Sequence, residues 1–286
     1  MQKRFCFAPL AGLALVAAAA AAGSGPVRAE DASAWASDTH SQVRLIAGTN
    51  AEGQRTLRAG LDIKLAPGWK TYWRYPGDSG VPPRFDFSAS GNVKDVQVLW
   101  PAPERMPDGG GQSIGYHDRV IMPLRVTPKN PAKPVLLHLK LNYAVCETLC
   151  VPADAAAKLA LIPAASAQDM DLKQAEARVP KAAKLGADAP LTVRTVRRER
   201  GGERPRVIVD VSAPKDVPVD LFAEGPTPAW ALPLPLPEPK ESPAPGLKRF
   251  SFELDGLPDG ATAEGAELTF TLVGGAEAVE VKTRLD

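Results

Sequence analysis

Five apolar side chains at every second position, Val135, Leu137, Leu139, Leu141 and Tyr143, run directly into two cysteines, Cys146 and Cys150, only four positions apart. Alternation at period two marks a strand with one buried and one wet face, so this stretch belongs to a sheet packed on one side. A strand that continued straight would hold residues i and i+4 about 13 Å apart, whereas a disulfide needs Cα atoms roughly 4.4–6.8 Å apart. For the sulfurs to meet, the chain must turn between them, as a helical turn or as a tight loop. Pro152 limits any helix that would continue beyond.

The same alternation recurs at Leu57, Ala59, Leu61, Ile63 and Leu65, and shorter strand candidates span residues 42–49, 93–100, 119–126 and 157–162. Proline and glycine turns separate them. With 29 prolines and 24 glycines in 286 residues, long helices have little room. A mainly β chain follows, its first unit a β-sandwich. One helix is expected over 166–178, with Ser166 as cap, Asp169 three residues on, Met170, Leu172 and Ala175 on one side, and Pro180 as its stop. Residues 181–190 read as a linker to a second β-rich unit with strands at 191–198, 206–212, 247–254, 266–273 and 278–284. Eight prolines fall between Pro226 and Pro245, an expected extended loop, because proline cannot donate to a ladder.

At the start of the chain, Lys3 and Arg4 precede an apolar run from Phe5 to Ala22, followed by a small-residue pattern that ends at Ala29. This reads as a secretory signal peptide cleaved after Ala29; the run is mostly alanine and broken by Pro9 and Gly12, which argues against an anchor. Cleavage removes Lys3, Arg4, Arg28 and Cys6, turns the formal charge from +1 to −2 and leaves Cys146 and Cys150 as the one cysteine pair. No clustered basic excess exists for a nucleic-acid partner. An exported, periplasmic protein is expected, in a compartment where disulfides persist. The expected organisation is a signal peptide over 1–29, a cysteine-bearing sandwich over 30–165, a helix and linker over 166–190 and a second β domain over 191–286.

Closing so short a loop stabilises a fold by only about 2 kcal/mol, so a purely structural staple gains little. Redox exchange is the favoured chemistry. Two other readings stay open: a non-enzymatic adaptor with a structural disulfide, and a copper site of the kind found in Sco-type chaperones, whose soft thiolates suit Cu(I). The copper reading would need one of His40, His117 or His138, on a strand-rich chain that does not suggest the thioredoxin-like Sco fold. Two serine motifs lack their context. Gly111-Gln112-Ser113-Ile114-Gly115 matches a nucleophile elbow without the strand–turn–helix setting and reads as a glycine loop. Gly77-Asp78-Ser79-Gly80 has no histidine in a matching protease segment.

The segment Leu141-Asn142-Tyr143-Ala144-Val145-Cys146 with Cys150-Val151-Pro152 resembles the periplasmic N-terminal domain of the thiol:disulfide interchange protein DsbD. Gly68 to Arg74, Pro76-Gly77-Asp78, Trp100 to Glu104 and Gly115-Tyr116 are similar to the same disulfide bond corrector family, and closer still to its ScsB-type relatives, over roughly residues 40 to 165. The resemblance implies an immunoglobulin-like domain that takes electrons from a membrane-embedded reductase, here expected on another polypeptide unless this chain has diverged from the family's role. It passes them to oxidised periplasmic thioredoxin-like proteins, a protein-disulfide reductase or exchange component needing no cofactor, in work related to cytochrome c biogenesis or copper tolerance. It also implies a Cys146–Cys150 disulfide in which Cys150 forms the mixed disulfide and Cys146 resolves it. The family's aromatic cap loop corresponds to residues 106–115, which carry no aromatic here, so either shielding is weaker or Tyr116 or Tyr143 supplies it. Trp69, Tyr72, Trp73 and Tyr75 are candidates for a partner-docking surface or for plain core filling, and Lys158 or Arg105 for a cation that offsets Glu147 and favours a thiolate.

Overall fold

The alternating segments pair as their pattern requires. The protein, seen in a computed structural model, is described over residues 30–109, 111–199, 205–238, 244 and 246–286, so the signal-peptide reading of 1–29 lies outside the described residues. In chain order the first unit holds β1 (Ala36–Ser37), β2 (Ser41–Ala47), β3 (Leu57–Leu65), β4 (Lys70–Gly77), β5 (Arg84–Asp86) and β6 (Val93–Val98). It continues with β7 (Glu104–Asp108), β8 (Gly111–His117), β9 (Arg119–Pro128), β10 (Val135–Cys146) and β11 (Cys150–Leu161). These form two facing sheets, ordered β1-β2-β3-β9-β6 and β11-β10-β4-β8-β7, with β5 against β10. Leu61, Ile63, Met122 and Leu124 from one sheet meet Trp73, Ile114, Leu139 and Leu141 from the other in a single core. Each such side chain stabilises the sandwich by about 1.5–3 kcal/mol on burial.

Strand β3 departs from simple alternation, because Asp62 on its outer face is fully buried as well. The reason is α1 (Asp169–Ala177), which lays Leu172 and Ala175 on Ile46 and Ile121. Charge pairs fasten the helix: Glu176 takes Arg58 and Arg125, while Arg119 bridges Asp62 and Asp171. The helix starts later than expected. Ser166 Oγ accepts from the Gln168 N–H and donates to the Ala47 carbonyl, so it ties the approach to β2. Met170, expected on the packed side, is 65% exposed.

The second unit holds β12 (Lys181–Ala183), β13 (Thr192–Glu199), β14 (Arg206–Ser212) and β15 (Val219–Glu224). After them come β16 (Leu236–Pro237), β17 (Leu247–Glu253), β18 (Glu267–Gly274) and β19 (Glu277–Arg284). Its sheets, β12-β19-β18-β15 and β13-β14-β17-β16, enclose Val207, Val209, Phe250, Phe270 and Leu272. Part of the expected linker is therefore a strand: Lys181–Ala183 pairs in parallel with β19. The proline-rich segment contributes the short edge strand β16 and buries Trp230, Leu232 and Leu234. The chain is mainly β, an immunoglobulin-like sandwich followed by one short helix and a second sandwich. Among the described residues no helix is long and apolar enough to cross a membrane.

Candidate redox site

Strands β10 and β11 form an antiparallel hairpin whose register ends with Cys146 opposite Cys150, so Glu147, Thr148 and Leu149 make the whole turn. The two Cα atoms stand 4.2 Å apart and the sulfurs are bonded. The required turn is a hairpin turn and not a helical one, and the second strand begins at Cys150, well before residue 157. Pro152 is accommodated because β11 is an edge strand.

Along β10 the alternation holds as far as Asn142 and then stops: Tyr143, Ala144, Val145 and Cys146 are all buried. Something covers the outer face at this end. Strand β4 lies alongside, with Cys146 opposite Lys70 and Val145 opposite Thr71. Successive residues of β4 point to opposite faces. Trp73 enters the sandwich core, while Tyr72 packs outside it with Ala144 and Cys146. Tyr72 is fully buried, and its Oη lies 2.7 Å from Cys146 Sγ and 3.1 Å from Cys150 Sγ.

Two segments close over Tyr72. In the loop after β4, a Cβ on Gly80 would come within 2.4 Å of Pro76 Cβ and 2.6 Å of the Tyr72 ring, so only glycine lets the loop lie on that ring. The second segment is the β7–β8 hairpin, paired to β4 through β8. It approaches so closely that a Cβ on Gly115 would lie 1.9 Å from the Thr71 carbonyl oxygen. At the end of β7, Asp108 sits 3.3 Å from the buried Lys70 Nζ and accepts from Ser79 Oγ at 2.9 Å, while Lys70 also donates to the Pro107 carbonyl. Burial, reinforced by the Asp108 carboxylate, pushes the Tyr72 phenol up to about 12, so it remains an O–H donor at neutral pH. The two sulfurs are unlike each other: Cys146 is 1% exposed, whereas Cys150 is exposed beside Leu149, itself 74% exposed.

The expected shield is in the wrong place. Tyr116 is buried and donates to the Pro101 carbonyl, and Tyr143 is buried with its Oη 2.6 Å from Ser41 Oγ. Both fill the sandwich interior, so shielding comes from Tyr72 instead. Of the expected docking aromatics, Trp73 is fully buried and meets Phe222 of the second unit at 5.8 Å, and Tyr75 donates to the Leu232 carbonyl. Trp69, half-buried, stacks on His40 at 3.7 Å. Residues 111–115, read as a glycine loop, are instead part of strand β8, with Ser113 fully buried, and the cap-loop counterpart 106–115 falls on the β7–β8 hairpin. Neither expected cation serves the sulfurs: Arg105 is taken by Asp220, and Lys158 lies opposite His138, far along the hairpin. Lys70 and Asp108 were not anticipated. Lys70 carries a spacing signal, standing two residues before Tyr72 and sharing its face, whereas Asp108 reaches the site only through the β7–β8 hairpin. Among the described residues no three His, Cys, Asp or Glu side chains are grouped to hold a metal ion.

A disulfide across the mouth of a β-hairpin, one sulfur buried under a tyrosine hydroxyl and the other open, on an immunoglobulin-like sandwich, defines a class of β-sandwich thiol–disulfide domain. Residues 42–161 match the family described as thiol:disulfide interchange protein DsbD, N-terminal, and this part of the chain is a DsbD N-terminal-like domain. Among solved structures, the N-terminal periplasmic domain of ScsB from Proteus mirabilis is 21% identical, with 89% of this chain and 98% of that chain covered and a TM-score of 0.69. That coverage takes in both sandwiches, so the two-unit fold recurs there. The yeast GGA1 GAE domain also matches, at 11% identity over 46% of this chain and 98% of its own, with a TM-score of 0.26. No curated protein matches the sequence.

Proposed function

We propose that this chain performs thiol–disulfide exchange in the periplasm through Cys146 and Cys150, passing electrons from a membrane-embedded reductase to oxidised thioredoxin-like proteins. One observation carries the reading: the sulfurs are unequal, with Cys150 open to a partner and Cys146 held under the Tyr72 hydroxyl. In the reduced protein the Cys150 thiolate attacks a sulfur of the partner's disulfide. A Cys150–partner bond forms, and the partner's other sulfur leaves as a thiolate that takes up a proton. The Cys146 thiolate then attacks Cys150 Sγ, displaces the partner's remaining sulfur and closes the internal disulfide. Two electrons and two protons have passed to the partner. Because the Tyr72 phenol keeps its proton, it donates to whichever cysteine sulfur carries charge, and charge-assisted bonds of this kind are the stronger ones. The DsbD N-terminal-like domain supports the periplasmic setting and a thioredoxin-like partner.

Titration of the pair against glutathione tests this. A midpoint within the span of exchange proteins, about −120 to −270 mV, is expected, and a value below about −300 mV would mark an inert structural bridge and overturn the reading. With an oxidised thioredoxin-like domain as partner, Cys146→Ser should accumulate a mixed disulfide and Cys150→Ser should not.

A further inference from the structure

The second sandwich grips both segments that cover the disulfide. Strand β4 carries Tyr72 onto the sulfurs and, in the next three residues, enters the other unit. Trp73 packs on Phe222, Arg74 Nη2 lies 2.6 Å from both Glu224 Oε2 and Glu280 Oε2, and Tyr75 donates to the Leu232 carbonyl. The β7–β8 hairpin is held in the same way. Arg105, three residues before Asp108, pairs with Asp220 at 2.7 Å and donates to the Leu221 and Pro235 carbonyls. Phe222 and Leu234 belong to the core of the first sandwich and not to that of the second. Asp220, Phe222 and Glu224 of this seam lie on β15 and Glu280 lies on β19, two strands of one sheet with β18 between them.

We propose that residues 191–286 act as a clamp for the redox site: through Arg74 and Arg105 they hold β4 and the β7–β8 hairpin in place, so that Tyr72 stays on the sulfurs and Cys146 stays closed off. The clamp rests on the exchange reading only for its purpose, not for its geometry. Arg74 and Arg105 are positioning residues, since neither touches a sulfur. A packed interface has discrete arrangements, so releasing its ion pairs frees the strand that ends in them. Both arginines are largely buried, and each makes charge-assisted contacts that a loosened seam cannot replace.

The test places every substitution in the second unit, away from the cysteines. In full-length Cys150→Ser protein, which keeps Cys146 as the one thiol of residues 30–286, the rate of alkylation by iodoacetamide is followed across pH. Addition of Asp220→Asn, Glu224→Gln and Glu280→Gln should raise the plateau rate about threefold to tenfold, since Cys146 becomes accessible. The midpoint of the profile should also move up, because the thiolate loses the Tyr72 donor. A profile that superimposes on that of the parent, in protein whose melting temperature has fallen, would reduce the seam to a structural contact and overturn the clamp. Should the triple variant not fold, Asp220→Asn alone gives the same readout with the same two outcomes. No partner protein enters this measurement, so failure of the exchange reading, seen as wild-type protein that cannot reduce a thioredoxin-like disulfide, is distinguishable from failure of the clamp.

Discussion

The two ends of the β10–β11 hairpin obey different rules. From Val135 to Asn142 apolar residues face the core and Leu136, His138, Lys140 and Asn142 face outward, as a one-sided sheet demands. From Tyr143 to Cys146 both faces are buried, because Tyr72, the Gly80 loop and the β7–β8 hairpin add a second layer outside. A sandwich needs only its inner face for stability. The extra layer surrounds the cysteines, and under the proposed exchange substitutions at the two ends should separate stability from redox behaviour.

The largest effect belongs to the regular end. Leu139→Ala opens a cavity in the core and should lower unfolding free energy by about 2–5 kcal/mol in chemical denaturation. Its reduction potential should stay at the wild-type value; a shifted potential would break the distinction between the ends. Next comes Lys70→Ala, which leaves Asp108 without its cation beneath the hairpin and should destabilise by about 1–3 kcal/mol. Here thiol reactivity should change along with stability, and denaturation together with alkylation kinetics reads both.

Tyr72→Phe keeps the ring and removes the hydroxyl that touches both sulfurs. The reduced state loses its donor, so the potential should become more negative by about 10–30 mV, the equivalent of a hydrogen bond of ~0.5–1.5 kcal/mol. An unchanged potential would mean that the hydroxyl only fills space. Alkaline titration is subtler. Burial raises the phenols of Tyr72, Tyr75, Tyr116 and Tyr143, all four tyrosines of the chain. Raised folded values mean that the folded state keeps protons the unfolded chain gives up, so their contribution is whole below about pH 10 and lost as pH rises further. Absorbance at 295 nm should show no phenolate at pH 10 while the protein stays folded, and Tyr72→Phe should soften the loss of stability toward pH 12. The smallest effect is Met170→Ala on the open side of α1, within about 0.5 kcal/mol of wild type by thermal melting.

The regular end was legible in the sequence and the covered end was not, for one physical reason. Period-two patterning reports a difference between two faces, and it vanishes where both are buried. Strands β2, β3, β9 and β10 keep apolar runs or alternation and were readable. In Lys70-Thr71-Tyr72-Trp73 all four side chains are buried, so nothing announces a strand or tells which aromatic faces the core and which the sulfurs. The β7–β8 hairpin hid behind Pro107 and its glycines, and Gly115, which looked like loop chemistry, is there because the Thr71 carbonyl leaves no room for a side chain. In the second unit, Lys181–Ala183 was too short to read and found its place only by pairing with β19. The cysteines themselves were readable because four-residue spacing after a strand admits few geometries.

The turn of Glu147, Thr148 and Leu149 has one more effect. Twelve residue pairs in unbroken register bring Cys146 and Cys150 together, and because that ladder is made of backbone hydrogen bonds independent of the sulfurs, it should outlast reduction of the pair. An opened pair therefore has no conformational search to make before it closes again. Under the proposed exchange, oxidation state resides in a single covalent bond at the end of that hairpin, so an electron donor and an electron acceptor should meet nearly the same surface. On that reading, the two forms should differ for a visiting protein in the charge and proton count at Cys150, with little reorganisation of shape.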